Sequence, residues 1–198
     1  MEAVVIKKED QLTSGWTGGS TTELFILPAG SKYSERNFWL RISSATVDAE
    51  EAVFTKLPQV QRVLLVLKGK IVLQHGAGKR MPLNPFDIHA FDGGEPTVSR
   101  GRCVDFNVMT RDNVHADLCT YQSRQMPVPV AADHFMHFFY AFQGDFCLTT
   151  ESGKQDIPEK ALLYVPQADC PFSVSSLGAE EAVLVHVKGR IADGVKRK

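Results

Sequence analysis

Two short segments carry the side chains with the greatest chemical capacity. In Phe38-Trp39-Leu40-Arg41-Ile42-Ser43-Ser44-Ala45 the residue types alternate. On a strand, successive side chains point to opposite sides. One face would then carry Phe38, Leu40, Ile42 and Ser44, and the other Trp39, Arg41, Ser43 and Ala45. The same rule divides Asp105-Phe106-Asn107-Val108-Met109 into a face of Asp105, Asn107 and Met109 and a face of Phe106 and Val108. An unpaired guanidinium or carboxylate is costly to bury. Two arrangements satisfy that constraint. In one, the apolar faces pack against a partner sheet while the polar faces line a pocket, where Arg41 grips a carboxylate through two parallel N–H donors. In the other, Arg41 and Asp105 pair with each other or face solvent.

The elements that must position these residues are many and short. Period-two or brief apolar signals fall at residues 24–27, 38–47, 63–67, 71–74, 88–91, 104–110, 118–121, 138–142, 146–149, 162–165 and 183–187. Turn residues such as Gly69, Gly76, Gly78, Gly93, Gly94, Gly101, Gly144 and Gly153 separate most of them. That pattern predicts an all-β sandwich or barrel. The best helix candidate is 48–57, with Asp48 as cap and Pro58 as stop. The β-branched Val53 and Thr55 count against it.

An internal repeat organises the chain. At an offset of 75 residues Gly69 meets Gly144, Gly78-Lys79 meets Gly153-Lys154, and Pro96 meets Pro171. Both Gly69 and Gly144 sit in a strand–turn–strand pattern. With four extra residues near Leu177-Gly178-Ala179-Glu180, Val108 and Arg111 then meet Val187 and Arg190. Two similar β units are expected, the first over residues 1–113 including the N-terminal strands and the second over 114–198.

Paired units with glycine-turn hairpins resemble cupins, which implies a duplicated jelly-roll sandwich. A metal-dependent cupin needs a His-x-His pair, a downstream Glu and a later His, so that imidazole and carboxylate groups leave open positions on the ion. Here His75 has no second His two residues on, and His134 and His137, three apart, fall on opposite strand faces. His89, His115 and His186 stand alone in sequence. Neither a metal nor another cofactor is expected. Gly15-Trp16-Thr17-Gly18-Gly19-Ser20 is neither a P-loop nor a dinucleotide fingerprint, and no Gly-x-Ser-x-Gly elbow occurs.

A more specific resemblance rests on four blocks in order: Trp16-Thr17-Gly18-Gly19-Ser20-Thr21-Thr22-Glu23-Leu24, Phe38 to Ala45, Leu57-Pro58-Gln59-Val60-Gln61-Arg62, and Asp105-Phe106-Asn107-Val108-Met109-Thr110-Arg111. Together they resemble the HutD/Ves family. The resemblance implies a bicupin with a role near histidine utilisation or stress response. It further implies binding of a small histidine-breakdown intermediate such as formiminoglutamate. Carried onto this chain it gives the candidate ligand-binding residues Trp16, Thr22, Glu23, Trp39, Arg41, Ser43, Arg62, Asp105, Asn107 and Met109. Trp16 could equally anchor the N-terminal segment, Glu23 be an edge-strand charge, and Arg62 bridge to Asp105.

Composition narrows the function classes. The 22 basic and 23 acidic residues leave a formal charge of −1, without the basic excess that neutralises phosphates. The C-terminal Lys196-Arg197-Lys198 is too small to change that. No apolar run approaches the ~20 residues of a spanning helix, and the N-terminus lacks the long apolar stretch of a signal peptide. Cys103, Cys119, Cys147 and Cys170 form no Cys-x-x-Cys pair. Without an export signal, these thiols are expected reduced and cytoplasmic. The leading expectation is therefore a non-enzymatic, metal-free cupin that binds a small carboxylated metabolite and regulates catabolism. The alternative is a metal-independent isomerase or hydrolase using Glu23 or Asp105 as general base. A third expectation is an interaction protein whose sheet edges or unit interface form a homodimer.

Overall fold

The computed structural model of the protein describes residues 1–178 and 181–192. Ala179, Glu180 and the basic Lys196-Arg197-Lys198 therefore lie outside the described residues. The described residues form strands joined by turns and three short 3-10 segments, with no α-helix. No helix among them is long and apolar enough to cross a membrane. The chain divides into two compact units. One comprises Leu12–Val114, and the other combines Met1–Gln11 with His115–Ile191.

The first strand, β1 (Val4–Ile6), belongs to the second of these units, where it pairs with residues 162–164. The sequence-based division assigned residues 1–113 to one unit. A three-residue edge strand carries no pattern that could name its distant partner.

The N-terminal unit contains β2 (Leu12–Trp16), β3 (Gly19–Leu27), β4 (Leu40–Val47), β5 (Glu51–Val53), β6 (Gln61–Gly69), β7 (Ile71–His75), β8 (Arg80–Leu83), β9 (Ile88–Asp92), β10 (Thr97–Arg100) and β11 (Cys103–Thr110). They form a six-stranded sheet in the order β2-β3-β4-β11-β6-β9 and a four-stranded sheet in the order β5-β10-β7-β8. The helix candidate at 48–57 is instead largely extended. Its centre is β5, paired antiparallel to β10. Tertiary pairing thus overrides the weak local helical signal, in keeping with Val53 and Thr55. The core between the sheets joins Val47, Leu64, Val66, Phe91 and Cys103 to Ala52, Ile71, Leu73 and Leu83. Each fully buried Leu, Ile or Phe of this kind stabilises by about 1.5–3 kcal/mol relative to exposure.

The C-terminal unit contains β12 (Val114–Gln122), β13 (Val128–Val130), β14 (Met136–Gln143), β15 (Phe146–Thr150), β16 (Gly153–Ile157), β17 (Leu162–Val165), β18 (Phe172–Ser176) and β19 (Val183–Ile191). Its sheets run β1-β17-β14-β19-β12 and β13-β18-β15-β16. Its core gathers Phe139, Phe146, Leu163, Phe172, Val174 and Leu184, with Val5 of β1 packed against it.

The two units repeat one topology. The order β4-β11-β6-β9 recurs as β12-β19-β14-β17, and β5-β10-β7-β8 recurs as β13-β18-β15-β16. Register is kept as well: Asn107 lies opposite Leu64 as His186 lies opposite Phe139, and Met109 opposite Arg62 as Lys188 opposite His137. The fold is a duplicated cupin-like sandwich, and the glycine coincidence has a backbone cause. Gly69 and Gly144 have φ of 81° and 82°, a left-handed conformation that glycine adopts without a Cβ penalty.

At Gly69 a Cβ would also lie 2.3 Å from the Arg102 carbonyl oxygen. Gly69→Ala is therefore expected to destabilise the protein by about 2 kcal/mol or more through backbone strain. Urea unfolding followed by far-ultraviolet circular dichroism checks this. A variant as stable as the parent would show the turn to be relaxed.

Candidate functional site

The inner face of the six-stranded sheet changes character along its length. Toward one end it presents Val47, Leu64, Val66 and Cys103 to the apolar core. Two to six residues further along the same strands it presents Ala45, Ser43 and Arg41 on β4, Asp105, Asn107 and Met109 on β11, and Arg62 on β6. Register enforces this grouping, because Ala45, Ser43 and Arg41 lie opposite Asp105, Asn107 and Met109, and Met109 lies opposite Arg62. The polar face therefore looks toward the second sheet of its own unit, not away from it as the expected packing had it. The other face, with Leu40, Ile42, Phe106 and Val108, is also buried.

These side chains surround a cavity of about 300 Å³, closed on other sides by Gly15, Trp16, Thr21, Tyr33, Phe54 and Thr55 among others. That is the small end of the range for ligand pockets and suits a molecule of amino-acid size. Of the ten residues proposed from sequence, Trp16, Arg41, Ser43, Arg62, Asp105, Asn107 and Met109 line it. Thr22, Glu23 and Trp39 do not. Alternation on β3 puts Thr21 on the cavity side, and Thr22 Oγ1 lies 2.8 Å from Thr13 Oγ1 of the neighbouring strand. Trp39 precedes β4. Its amide donates to the Leu27 carbonyl and its carbonyl accepts from Arg111 N, which fixes the strand entrance. Glu23 acts at one remove, as the partner of Arg41.

The two arginines are held differently. Arg41 Nε donates to Glu23 Oε2 at 2.7 Å, one of its terminal nitrogens donates to Ser43 Oγ at 3.1 Å, and its guanidinium lies 4.3 Å from the Tyr33 ring centroid. The alternative in which Arg41 pairs with Asp105 is thus replaced by an ion pair to β3. Arg62 has no ion pair among the described residues. Its Nε donates to the neutral Asn107 Oδ1 at 3.4 Å, and the group packs over Phe54 and Phe91 at 4.7 and 5.3 Å. Burial lowers its pKa to about 10, so it stays charged at neutral pH. Beside it, a Cβ at Gly93 would lie 2.8 Å from the Val60 carbonyl oxygen, 3.0 Å from that of Leu57 and 3.3 Å from Arg62 Cδ.

Asp105 and Arg62 attract each other electrostatically, yet no ion pair joins them. Burial pushes the Asp105 carboxyl up to about 7, against the attraction of Arg62 and the hydrogen bond from the Ala45 amide. Its Oδ1 is buried without a hydrogen-bond partner. Two residues before it, burial lifts the Cys103 thiol to about 12, which leaves that sulfur an inert part of the core.

The glycine-rich segment before β3 serves packing. At Gly18 a Cβ would stand 2.0 Å from the Trp16 ring, and at Gly19 1.9 Å from the Thr46 carbonyl oxygen. Trp16 can fold back over this turn only because Gly18 lacks a side chain, while Gly19 permits the close approach of the Thr46 backbone. Tyr33, Phe54 and Thr21 escaped sequence reasoning. Tyr33 and Phe54 lie outside the strands, where periodicity gives no signal. The expectation that His89 and His186 stand alone is also corrected. His89 Nε2 lies 2.9 Å from His75 Nε2, and His186 Nε2 lies 2.9 Å from His137 Nδ1. Among the described residues no group of three or more His, Cys, Asp or Glu side chains converges to hold a metal ion.

Asp105 leads to a pH prediction. Because its folded pKa lies above the unfolded value near 4, the folded state holds an extra proton between the two. The stability this group contributes is present in full below about pH 4 and is lost as pH rises through about 7. Asp105→Asn is expected to remove a slope of up to about 1.4 kcal/mol per pH unit and to be the more stable protein at pH 8. Urea unfolding of both proteins across this range checks it. Parallel curves would show that Asp105 titrates normally.

Comparison with known proteins places this geometry in context. The HutD family profile matches residues 8–184. No match is found among curated proteins. Among solved structures, a conserved protein of unknown function from Pseudomonas aeruginosa PAO1 superposes with a TM-score of 0.82 at 19% identity, covering 96% of this chain and 99% of that one. HutD from Pseudomonas fluorescens SBW25 gives 0.75 at 21% identity, covering 96% and 100%. Lactobacillus farciminis oxalate decarboxylase, solved as a formate complex, gives 0.67 at 9% identity, covering 95% and 88%.

Proposed function

The chain belongs to the HutD family, and from that premise we propose that it is a regulator linked to histidine utilisation or stress response. On this reading it binds a small carboxylated, amino-acid-derived metabolite in the cavity of its N-terminal unit. The observation that carries the proposal is Arg62. It is a buried cation on a cavity wall, held by one long hydrogen bond to a neutral amide and by two aromatic faces. A carboxylate supplies the compensating charge that the described residues do not. Arg41, already neutralised by Glu23, orients the anion instead of attracting it. Ser43 and Asn107 offer hydrogen bonds, and Trp16, Phe54 and Met109 offer apolar contact to the rest of the ligand.

One observation favours the enzymatic alternative. A carboxyl titrating near 7 inside a cavity is poised for proton transfer. In that reading Asp105 is the general base of a metal-independent isomerase or hydrolase. Turnover of a bound ligand by the purified protein, abolished in Asp105→Asn, would decide for it.

Thermal-shift and calorimetric titrations with formiminoglutamate, urocanate, glutamate and histidine test the binding proposal. At least one carboxylate is expected to raise the melting temperature. Arg62→Met keeps the packing on Phe54 and Phe91 but removes the charge, and is expected to weaken that ligand by about 10- to 100-fold, the worth of one charged hydrogen-bonding group. No shift with any ligand, or an undiminished shift in Arg62→Met, would overturn the proposal.

A further inference from the structure

Both units contain a histidine pair, and the two pairs differ in what they can do. In the C-terminal unit His137 Nε2 faces Asp133 Oδ1 at 3.0 Å and His137 Nδ1 faces His186 Nε2 at 2.9 Å, with Cys119 Sγ 3.9 Å from His186 Nδ1. Both rings are buried, at 1% and 8% exposure. Burial holds His186 far below the ordinary imidazole range, near 3. That arrangement is a closed relay without access for an ion.

The pair in the N-terminal unit is open. His75 ends β7 of the four-stranded sheet, and His89 lies on β9, the edge of the six-stranded sheet. Both rings are only partly buried, and both pack on Phe91, at centroid distances of 4.8 and 5.6 Å. Thr97 Oγ1 donates to the Glu95 carbonyl at 3.1 Å, so its contact of 2.8 Å with His75 Nδ1 has the imidazole donating. His75 therefore presents a lone pair at Nε2. His89 Nε2 lies 2.9 Å away and donates to it, so the two nitrogens already sit side by side. Burial and the neighbouring His75 lower the His89 pKa.

Two imidazole nitrogens each about 2.05 Å from one ion stand about 2.9 Å apart at a right angle and about 3.3 Å apart at a tetrahedral angle. The observed 2.9 Å suits neighbouring positions of an octahedral or tetragonal shell. From this geometry we propose that His75 and His89 form a two-histidine site for a divalent transition ion of the Ni²⁺ or Cu²⁺ kind, with solvent completing the shell. On binding, the His89 proton moves from Nε2 to Nδ1, so no proton need leave the protein. The Thr97–Glu95 chain is the outer-shell support that fixes the tautomer of a metal-binding imidazole. Glu95 Oε2, 4.0 Å from His75 Nδ1, adds negative charge beside the site. A bound ion would tie β9 to β7, joining the two sheets of the unit beside Phe91. The inference stands apart from carboxylate binding, because its donors do not line the cavity.

Calorimetric titration of the tag-free, full-length protein with NiCl₂ alone, without any carboxylate ligand, tests it. The parent is expected to bind one Ni²⁺ and to melt at a higher temperature when loaded. His89→Ala is expected to lose affinity at least about 10-fold, and Thr97→Val to lose it by a smaller factor. The exposed His115→Ala should change nothing. No binding up to about 1 mM Ni²⁺, or equal binding by folded His89→Ala, would overturn the proposal. Should His89→Ala fail to fold, crystals of the parent soaked in Ni²⁺ decide. An anomalous peak about 2.1 Å from both Nε2 atoms supports the site, and its absence or a peak elsewhere overturns it.

Discussion

A guanidinium buried inside a β-sandwich must be compensated, and much of the N-terminal unit is arranged around that requirement. Arg41 is satisfied by a carboxylate, a hydroxyl and an aromatic face. Arg62 is satisfied only by an amide oxygen and two rings. The difference follows from neighbours. β4 has β3 beside it, which delivers Glu23, whereas β6 has β9 beside it, which delivers Phe91 opposite Arg62. One cation is thereby neutralised within the fold and the other is left to electrostatics of the cavity. The Asp105 carboxyl, which would answer Arg62, is so fully desolvated that it keeps its proton to about neutrality.

Duplication clarifies why this happens in one unit only. The positions of Arg62 and Asn107 recur in the other unit as His137 and His186, with register preserved. In one unit the side chains at these positions face a cavity. In the other they meet each other and Asp133 within a closed core. A single backbone plan thus supports an open polar site and a filled one. The choice lies in side-chain volume and in whether a neighbouring acid satisfies the buried nitrogen atoms.

Legibility in the sequence followed periodicity. The alternation in Phe38 to Ala45 and Asp105 to Met109 exposed which residues share a face, and the glycines at one offset exposed the repeat. Alternation could not say which face looks inward, because both faces of β4 and β11 are buried. Strands such as β2, exposed at every residue, and β16, exposed at all but the last, lack an apolar period and gave no signal. The histidine pairs were invisible for another reason. His75 and His89 lie on different sheets, and His137 and His186 on paired strands far apart in sequence, so only register and topology bring them together. Trp39 misleads because the alternating run begins at Phe38, two residues before β4 starts at Leu40.

The strand β1 has a temporal consequence. Its backbone partners, residues 162–164, emerge from the ribosome more than a hundred residues after it. During synthesis Val4, Val5 and Ile6 must wait without a ladder, while the intervening unit can already close its own sheets. Long-range pairings of this kind slow assembly, because the loop between them must be restrained before any contact rewards it. A segment made well before its partners is therefore placed only after them. A cut between Val114 and His115 would not yield two whole halves, since one of them would be missing its first strand.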